Sequence, residues 1–508
     1  MLEKYLKKIL TAQVYDVAHE TPLDYASALS DRLENDIWLK REDLQPVFSF
    51  KLRGAYNKIS NLSAAESANG IITASAGNHA QGVALAANQL GVKALIVMPK
   101  TTPSIKVKAV QSMGGKTLLI GDTYDDAYVH ARKLSEEREL AFIHPYDDPD
   151  VIAGQGTVAM EILHQRRAPI DAVFVPVGGG GLIAGIAAYI KALRPGIKVI
   201  GVEPDEAPCM HAALKKKRRV VLKQVGIFAD GVAVRQVGKE PFKIAKKYVD
   251  EVMLVSTDEL CAATKDIFDD TRAMVEPAGA LAVAAIKKYV AEKGVKGQSL
   301  IAINSGANIN FDRLRHVAER AEIGERSEAL LAVTIPEKPG SFLQFCKALD
   351  RRGITEFNYR YSDVADAQVF AGIRLAEGDE ERTALLKQLA KDGYSVVDLT
   401  DNEMAKLHIR YMVGGRAPVT LDNEVLYRFQ FPERPGALQR FLSSMGKHWN
   451  ISLFHYRNHG AAYGRVLVGM QLFPGERKKF REYMDKLGYA YWDESDNPAY
   501  SLFLGSGE

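Results

Sequence analysis

A large α/β body built on parallel sheets, followed by two smaller α+β units in tandem, is the architecture this sequence predicts. Three observations carry it. Strand and helix signals alternate over residues 20–320, two strand-to-helix turns in that stretch are rich in glycine and other small residues, and beyond about residue 326 one unit recurs. Alternation of this kind lays helices over the faces of parallel sheets. A repeated unit with Pro-Gly loops belongs to a separate module.

The chain opens with Leu2, Tyr5, Leu6, Ile9 and Leu10 at helical spacing and lysines between them. This is an amphipathic helix expected to pack on the body, since the charge-then-apolar order and cleavage region of a targeting peptide are missing. The next informative stretch is Ser49-Phe50-Lys51-Leu52-Arg53-Gly54-Ala55, which sets a lysine between an aromatic ring and a small-residue turn. Desolvation disfavours an ammonium and leaves an amine that can condense with an aldehyde as a Schiff base. Phe50 can cover one face of a flat ring bound there. The heptapeptide by itself also fits a solvated lysine at a helix start.

Thr73-Ala74-Ser75-Ala76-Gly77-Asn78-His79-Ala80-Gln81-Gly82 follows an apolar strand signal and precedes a helix signal ending near Gly91. Free N–H groups around Ser75, Ala76, Gly77, Asn78 and His79, with the positive end of the helix dipole, suit a carboxylate or phosphate. Asn78 adds a neutral donor, although a plain N-cap would also use it. Strand 94–98 then leads to helix 104–113, and strand 117–120 to helix 124–139.

Val173 to Val177 reads as a buried strand running into Gly178, Gly179, Gly180, Gly181 and Leu182, and then an apolar helix over 183–192. Four residues without Cβ can aim several N–H groups at one phosphate. The run Gly178 to Ala184 also satisfies a loose dinucleotide fingerprint, with Glu203 ending the next strand, so a nicotinamide oxidoreductase competes on this segment alone. Strand 252–255 and helix 258–270 continue the alternation. His144, His164 and His211 lack an i, i+4 partner and read as hydrogen-bonded or surface histidines, not metal ligands.

Together with Ser305-Gly306-Ala307-Asn308, these motifs resemble the pyridoxal-phosphate enzymes of the tryptophan-synthase-β type, and within them the threonine and serine dehydratases. The resemblance covers residues 1 to about 320. It implies fold type II, with two α/β subdomains, and pyridoxal 5'-phosphate as cofactor. It also implies that Lys51 carries the cofactor and removes the α-proton, that Phe50 lies against the pyridine ring, and that Asn78 meets the ring 3-hydroxyl. Gly178 to Gly181 with Leu182 would hold the phosphate, Ser305 would face the ring nitrogen, and the Ser75 to His79 loop would take the substrate carboxylate. Serine racemases of the family carry a serine where this chain has Ala76, so elimination is expected over racemisation. Metal-dependent relatives pair a glutamate with an aspartate where this chain has Glu203 and Cys209, so no divalent cation is expected there, with a monovalent ion left as the alternative.

Composition agrees with a large enzyme. The 508 residues are 47% hydrophobic and 25% charged, enough for about three domains, with expected bounds 1–325, 326–402 and 403–508. A net charge of +3 does not argue for nucleic acid, and Lys215 to Arg219 is the one basic run, read as a solvated helix end. Cys209, Cys261 and Cys346 have no paired spacing, which fits buried thiols in a reducing compartment. No apolar run is long enough to span a bilayer, and a cytoplasmic location without membrane or nucleic-acid partners is expected.

In the tail, Thr334-Ile335-Pro336-Glu337-Lys338-Pro339-Gly340 recurs as Gln430-Phe431-Pro432-Glu433-Arg434-Pro435-Gly436, and Phe357-Asn358-Tyr359-Arg360 as Phe454-His455-Tyr456-Arg457. Each copy reads strand, loop, helix, two strands, helix, strand, a split βαβ order. It resembles the ferredoxin-like amino-acid-binding domains known as ACT. Neither copy holds a nucleophile–base pair, which leaves a tetramerisation module as the alternative; because a duplicated small-molecule-binding fold is a costly way to make a contact surface, the tail is read as a sensor, with Phe357, Tyr359, Phe454 and Tyr456 as candidate regulatory residues. In the dehydratases a two-copy tail marks the biosynthetic branch. The implied reaction is L-threonine to 2-oxobutanoate and ammonia, the first committed step towards isoleucine, with L-serine a weaker substrate, isoleucine and valine as effectors, and a homotetramer.

Overall fold

The computed structural model describes residues 1–508 except 227, 312, 339, 351, 362–365, 413–420, 433–440, 444–448, 458–462, 474, 499, 501–503 and 505–508. The chain divides into two compact units, Met1–Gly324 and Glu325–Glu508.

The first unit holds two sheets. The larger runs Leu23–Tyr25, Asp36–Arg41, Ser299–Asn304, Ala172–Pro176, Lys198–Pro204 and Glu251–Val255 in spatial order, and all neighbours are parallel except the first pair. The smaller runs Lys116–Leu119, Ala94–Met98, Ile71–Ala74 and Ala141–Phe142, all parallel. Ala172–Pro176 and Ser299–Asn304 are buried along their whole length, which is why they read as continuous apolar runs: helices cover both faces. Val173, Val175, Ile301 and Ile303 enter one core, and Phe174, Leu300 and Ala302 the other. The period of two across a strand decides which.

The N-terminal helix Leu2–Leu10 buries Tyr5 and Ile9 in the first of these cores. Helix Lys51–Ser60 packs on helix Pro149–Gln165 through glycine: a Cβ at Gly154 would lie 2.6 Å from the Arg53 carbonyl oxygen. Arg53 itself is fully buried, donating from Nε to Glu42 at 2.8 Å and from Nη2 to Glu161 at 2.9 Å, while Lys40 donates to Glu161 at 2.6 Å. Buried charges persist only when paired in this way. The network fixes the helix whose first residue is Lys51.

The second unit is one eight-stranded antiparallel sheet. Its order is Ser395–Asp398, Glu328–Pro336, Asp366–Arg374, Ile354–Arg360, Asn450–Arg457, Tyr463–Gln471, Glu424–Pro432 and Ala490–Asp493. Each repeat supplies four strands in the ferredoxin-like arrangement, and the copies expected over 326–402 and 403–508 join where Phe357 pairs with Tyr456 and Tyr359 with Phe454. A single core runs across both, from Phe345 and Leu385 to Phe480 and Met484. The second Pro-Gly loop, and Pro339 of the first, lie outside the described residues.

Candidate active site

The three sequence motifs and Ser305-Gly306-Ala307-Asn308 meet at one place. Lys51 begins its helix, and its Nζ donates to the Gly231 carbonyl at 3.2 Å. The residue keeps some access to solvent, yet burial of the amine is the largest influence on it and holds it below the usual lysine range, with Glu276 and Asp230 pulling the other way. Phe50 lies with its ring centroid 5.9 Å from that amine. Backbone bonds stitch this turn to the fourth motif: Phe50 N–H donates to the Ser305 carbonyl at 3.4 Å and Ala307 N–H to the Phe48 carbonyl at 2.9 Å.

Asn78 begins helix Asn78–Gln89. Its Nδ2 donates to Glu276 Oε1 at 2.7 Å, and its Oδ1 accepts from Asn308 Nδ2 at 2.6 Å. In the loop before it, Ser75 Oγ accepts the Gly77 N–H at 3.3 Å, and a Cβ at Gly77 would meet nothing within 4 Å. Ala76 has no hydroxyl to offer this space. The His79 ring turns away to the Ile143 carbonyl at 3.1 Å, and burial pushes it down to about 3, so it is neutral.

The glycine loop joins the site through one residue. Gly178 packs on Val232, 3.0 Å from an ideal Cβ to the Val232 Cα, and Val232 follows the Gly231 whose carbonyl faces Lys51. Gly179 lies under the Tyr146 ring, and Gly180 has φ +94°, the left-handed region. Helix Gly181–Leu193 starts there with Leu182 buried, its first N–H groups at the loop. Ser305 is 3% exposed and its Oγ donates to the Ala278 carbonyl at 3.3 Å.

These residues fit pyridoxal phosphate: a desolvated amine for an aldehyde, a loop too tight for any side chain at a helix N-terminus for a phosphate, and a neutral hydroxyl for a ring nitrogen. They do not fit a dinucleotide equally well. Glu203 is buried, accepts the Met210 and His211 N–H groups at 2.7 and 2.8 Å, and is pushed up to about 7 by burial, so it is not available to a ribose.

Sequence reasoning missed Glu276, Gly231, Asp230 and Tyr146. Only Glu276 left a trace, as a carboxylate before a proline-initiated helix, Pro277–Lys293.

In the Glu325–Glu508 unit a pocket is lined by Ile335, Glu337, Ser341, Phe342, Tyr359 and Trp449 among others. Tyr359 donates its hydroxyl to Glu337 at 2.5 Å, and the Ser341 hydroxyl is buried without a partner among the described residues. Of the four aromatic residues singled out in the repeats, Tyr359 reaches the pocket. Phe357 and Phe454 stack edge to face at 5.7 Å inside the core, and Tyr456 is buried beside them.

Comparison with known proteins follows the same division. Residues 14–306 match the family of pyridoxal-phosphate dependent enzymes, and 319–409 and 415–504 each match the C-terminal regulatory domain of threonine dehydratase. The biosynthetic L-threonine dehydratase of Burkholderia multivorans is 57% identical over 503 residues, covering 98% of this chain and 99% of the relative. That of Escherichia coli is 54% identical, covering 99% and 97%. The solved structure of processed threonine deaminase isoform 2 from Solanum lycopersicum is 51% identical with a TM-score of 0.63, covering 63% of this chain and 88% of that one.

Proposed function

We propose the function from one premise: this chain belongs to the pyridoxal-phosphate-dependent enzymes. Its reaction is the deamination of L-threonine to 2-oxobutanoate and ammonia. The observation that carries the reading is the desolvated Lys51 amine set between the Asn78 loop and the glycine loop.

Lys51 would hold the cofactor covalently, and its amine, once free, would take the α-proton as general base. The N–H groups of the Ser75 to His79 loop, with the open space over Gly77, receive the substrate carboxylate. Gly178 to Gly181 and Leu182 would hold the phosphate, Phe50 would cover one ring face, Asn78 would meet the ring hydroxyl and Ser305 the ring nitrogen. When bound, the cofactor withdraws electrons from the α-carbon so that the α-proton and then the β-hydroxyl can leave. Water completes release of the 2-oxo acid and ammonia. Ala76 has no hydroxyl to reprotonate the α-carbon from the opposite face, which favours elimination over racemisation.

The tail is a sensor for isoleucine and valine, and the enzyme works in the cytoplasm as a homotetramer supplying isoleucine synthesis. The Tyr359 pocket supports the effector reading, because Glu337 can take an ammonium while the N-terminus of helix Ser341–Ala348 and the Ser341 hydroxyl can take a carboxylate. Among the described residues no helix is long and apolar enough to cross a membrane. The test is release of 2-oxo acid from threonine and from serine, with and without isoleucine. Faster release from threonine, suppressed by isoleucine, is expected; no release from either amino acid would end the reading.

A further inference from the structure

Glu276 is the N-cap residue of helix Pro277–Lys293, and its own N–H donates to the Gly306 carbonyl at 3.1 Å. Its side chain is 4% exposed and meets the environment of Lys51 on three sides. Oε1 accepts from Asn78 Nδ2 at 2.7 Å. The same oxygen would lie 2.7 Å from a Cβ at Gly306 and 3.2 Å from one at Gly231, the residue whose carbonyl accepts from Lys51. One carboxyl thus touches the Asn78 helix, the segment facing the Lys51 amine, and the Ser305 motif.

A buried carboxyl is a costly way to hold an asparagine, because a glutamine would accept the same bond without a charge to desolvate. The charge therefore acts on something, and of the two lysines that act on Glu276, Lys51 and Lys106, Lys51 acts the more strongly. We infer that Glu276 is a positioning residue for the reaction: its carboxylate sets the proton affinity of the Lys51 nitrogen while its Oε1 fixes the orientation of Asn78. This rests on the proposed role of Lys51 as the cofactor-bearing residue.

The other charged groups acting on Glu276 are Asp230, which disfavours its ionisation and is the stronger of the two, and Lys106, which favours it; these two pair with each other at 2.8 Å. Burial is the largest influence and pushes Glu276 up to about 7. Where the carboxyl is ionised, its negative charge favours the protonated form of Lys51.

The experiment is a pH titration of the cofactor absorbance of the full-length holoenzyme, in wild type, Glu276→Gln and Glu276→Asp, with cofactor occupancy measured alongside. Glu276→Gln keeps an acceptor for Asn78 and loses the charge, so the midpoint for the Lys51–cofactor linkage is expected to fall by about one pH unit or more, tenfold in proton affinity. Glu276→Asp keeps the charge and is expected to stay near wild type. A Gln variant that holds cofactor and titrates like wild type would overturn the inference. So would loss of cofactor from both variants with unchanged melting, which would make Glu276 a packing residue. Cofactor found on a lysine other than Lys51 would instead overturn the reading beneath it.

Discussion

Gly179→Ala isolates the phosphate loop. An ideal Cβ there would sit 2.2 Å from two atoms of the Tyr146 ring and 2.4 Å from a third, far inside carbon–carbon contact. The ring has little freedom to retreat, since its hydroxyl donates to the Gln236 carbonyl at 3.3 Å, the His144 ring lies edge-on at 4.7 Å, and the Tyr146 N–H donates to His144 Nδ1. Overpacking of this kind costs about 1–3 kcal/mol, which at 1.4 kcal/mol per decade weakens cofactor binding by roughly 5- to 150-fold. Fluorescence titration of pyridoxal phosphate into cofactor-stripped enzyme measures it directly. Gly77→Ala is the control, because its Cβ meets nothing within 4 Å and its φ of −133° suits any residue. That variant is expected to bind cofactor normally and to show a raised KM for threonine. Adding Tyr146→Ala to Gly179→Ala is expected to restore much of the lost affinity. Unchanged cofactor affinity in Gly179→Ala would refute the assignment of this loop to the phosphate.

Arg53→Met leaves Glu42 and Glu161 without their shared guanidinium and is expected to destabilise the first unit by about 3–5 kcal/mol, read as a lower urea midpoint. Glu203 is raised from 4.5 to about 7 by burial, so its folded form holds the proton more tightly than the unfolded chain. The stability this contributes is fully present below pH 4.5 and is lost as pH rises to 7, and Glu203→Gln is expected to flatten the melting profile across that window. A chain ending at Gly324 is expected to keep threonine turnover and lose inhibition by isoleucine. Tyr359→Phe, which removes the bond to Glu337, is expected to weaken that inhibition with the uninhibited rate unchanged; inhibition persisting in the truncated chain at the same isoleucine concentration would move the sensor into the first unit.

What the sequence made legible was local. The Asn78 loop and the Gly178 loop each combine a strand signal, a backbone-permissive turn and a helix start within a short stretch, and Lys51 sits between an aromatic ring and a small-residue turn, so local sequence marks them. The repeat likewise exposed the order of elements in the tail. Glu276 was hidden because its meaning lies 198 residues away, in the bond to Asn78, and no periodicity links the two. Tyr146 carried no signal of its own, because its role rests on tertiary packing over Gly179. The joining of the two repeats into one sheet was equally hidden. It depends on edge strands pairing at Phe357 and Tyr456, and strand hydropathy specifies burial, not the neighbour. Phe357 and Phe454 were singled out because they recur, but recurrence there reflects a shared core. Only Tyr359 of that set extends to the pocket.

The central claim is that Lys51 is the residue to which the cofactor is joined. Borohydride reduction of the full-length enzyme, followed by peptide mass analysis, measures this in one step. The account predicts the mass of reduced pyridoxal phosphate on the peptide containing Lys51, its absence from Lys51→Ala, and loss of 2-oxobutanoate formation in that variant. Cofactor mass on a different lysine, or near-normal turnover by Lys51→Ala, would contradict it.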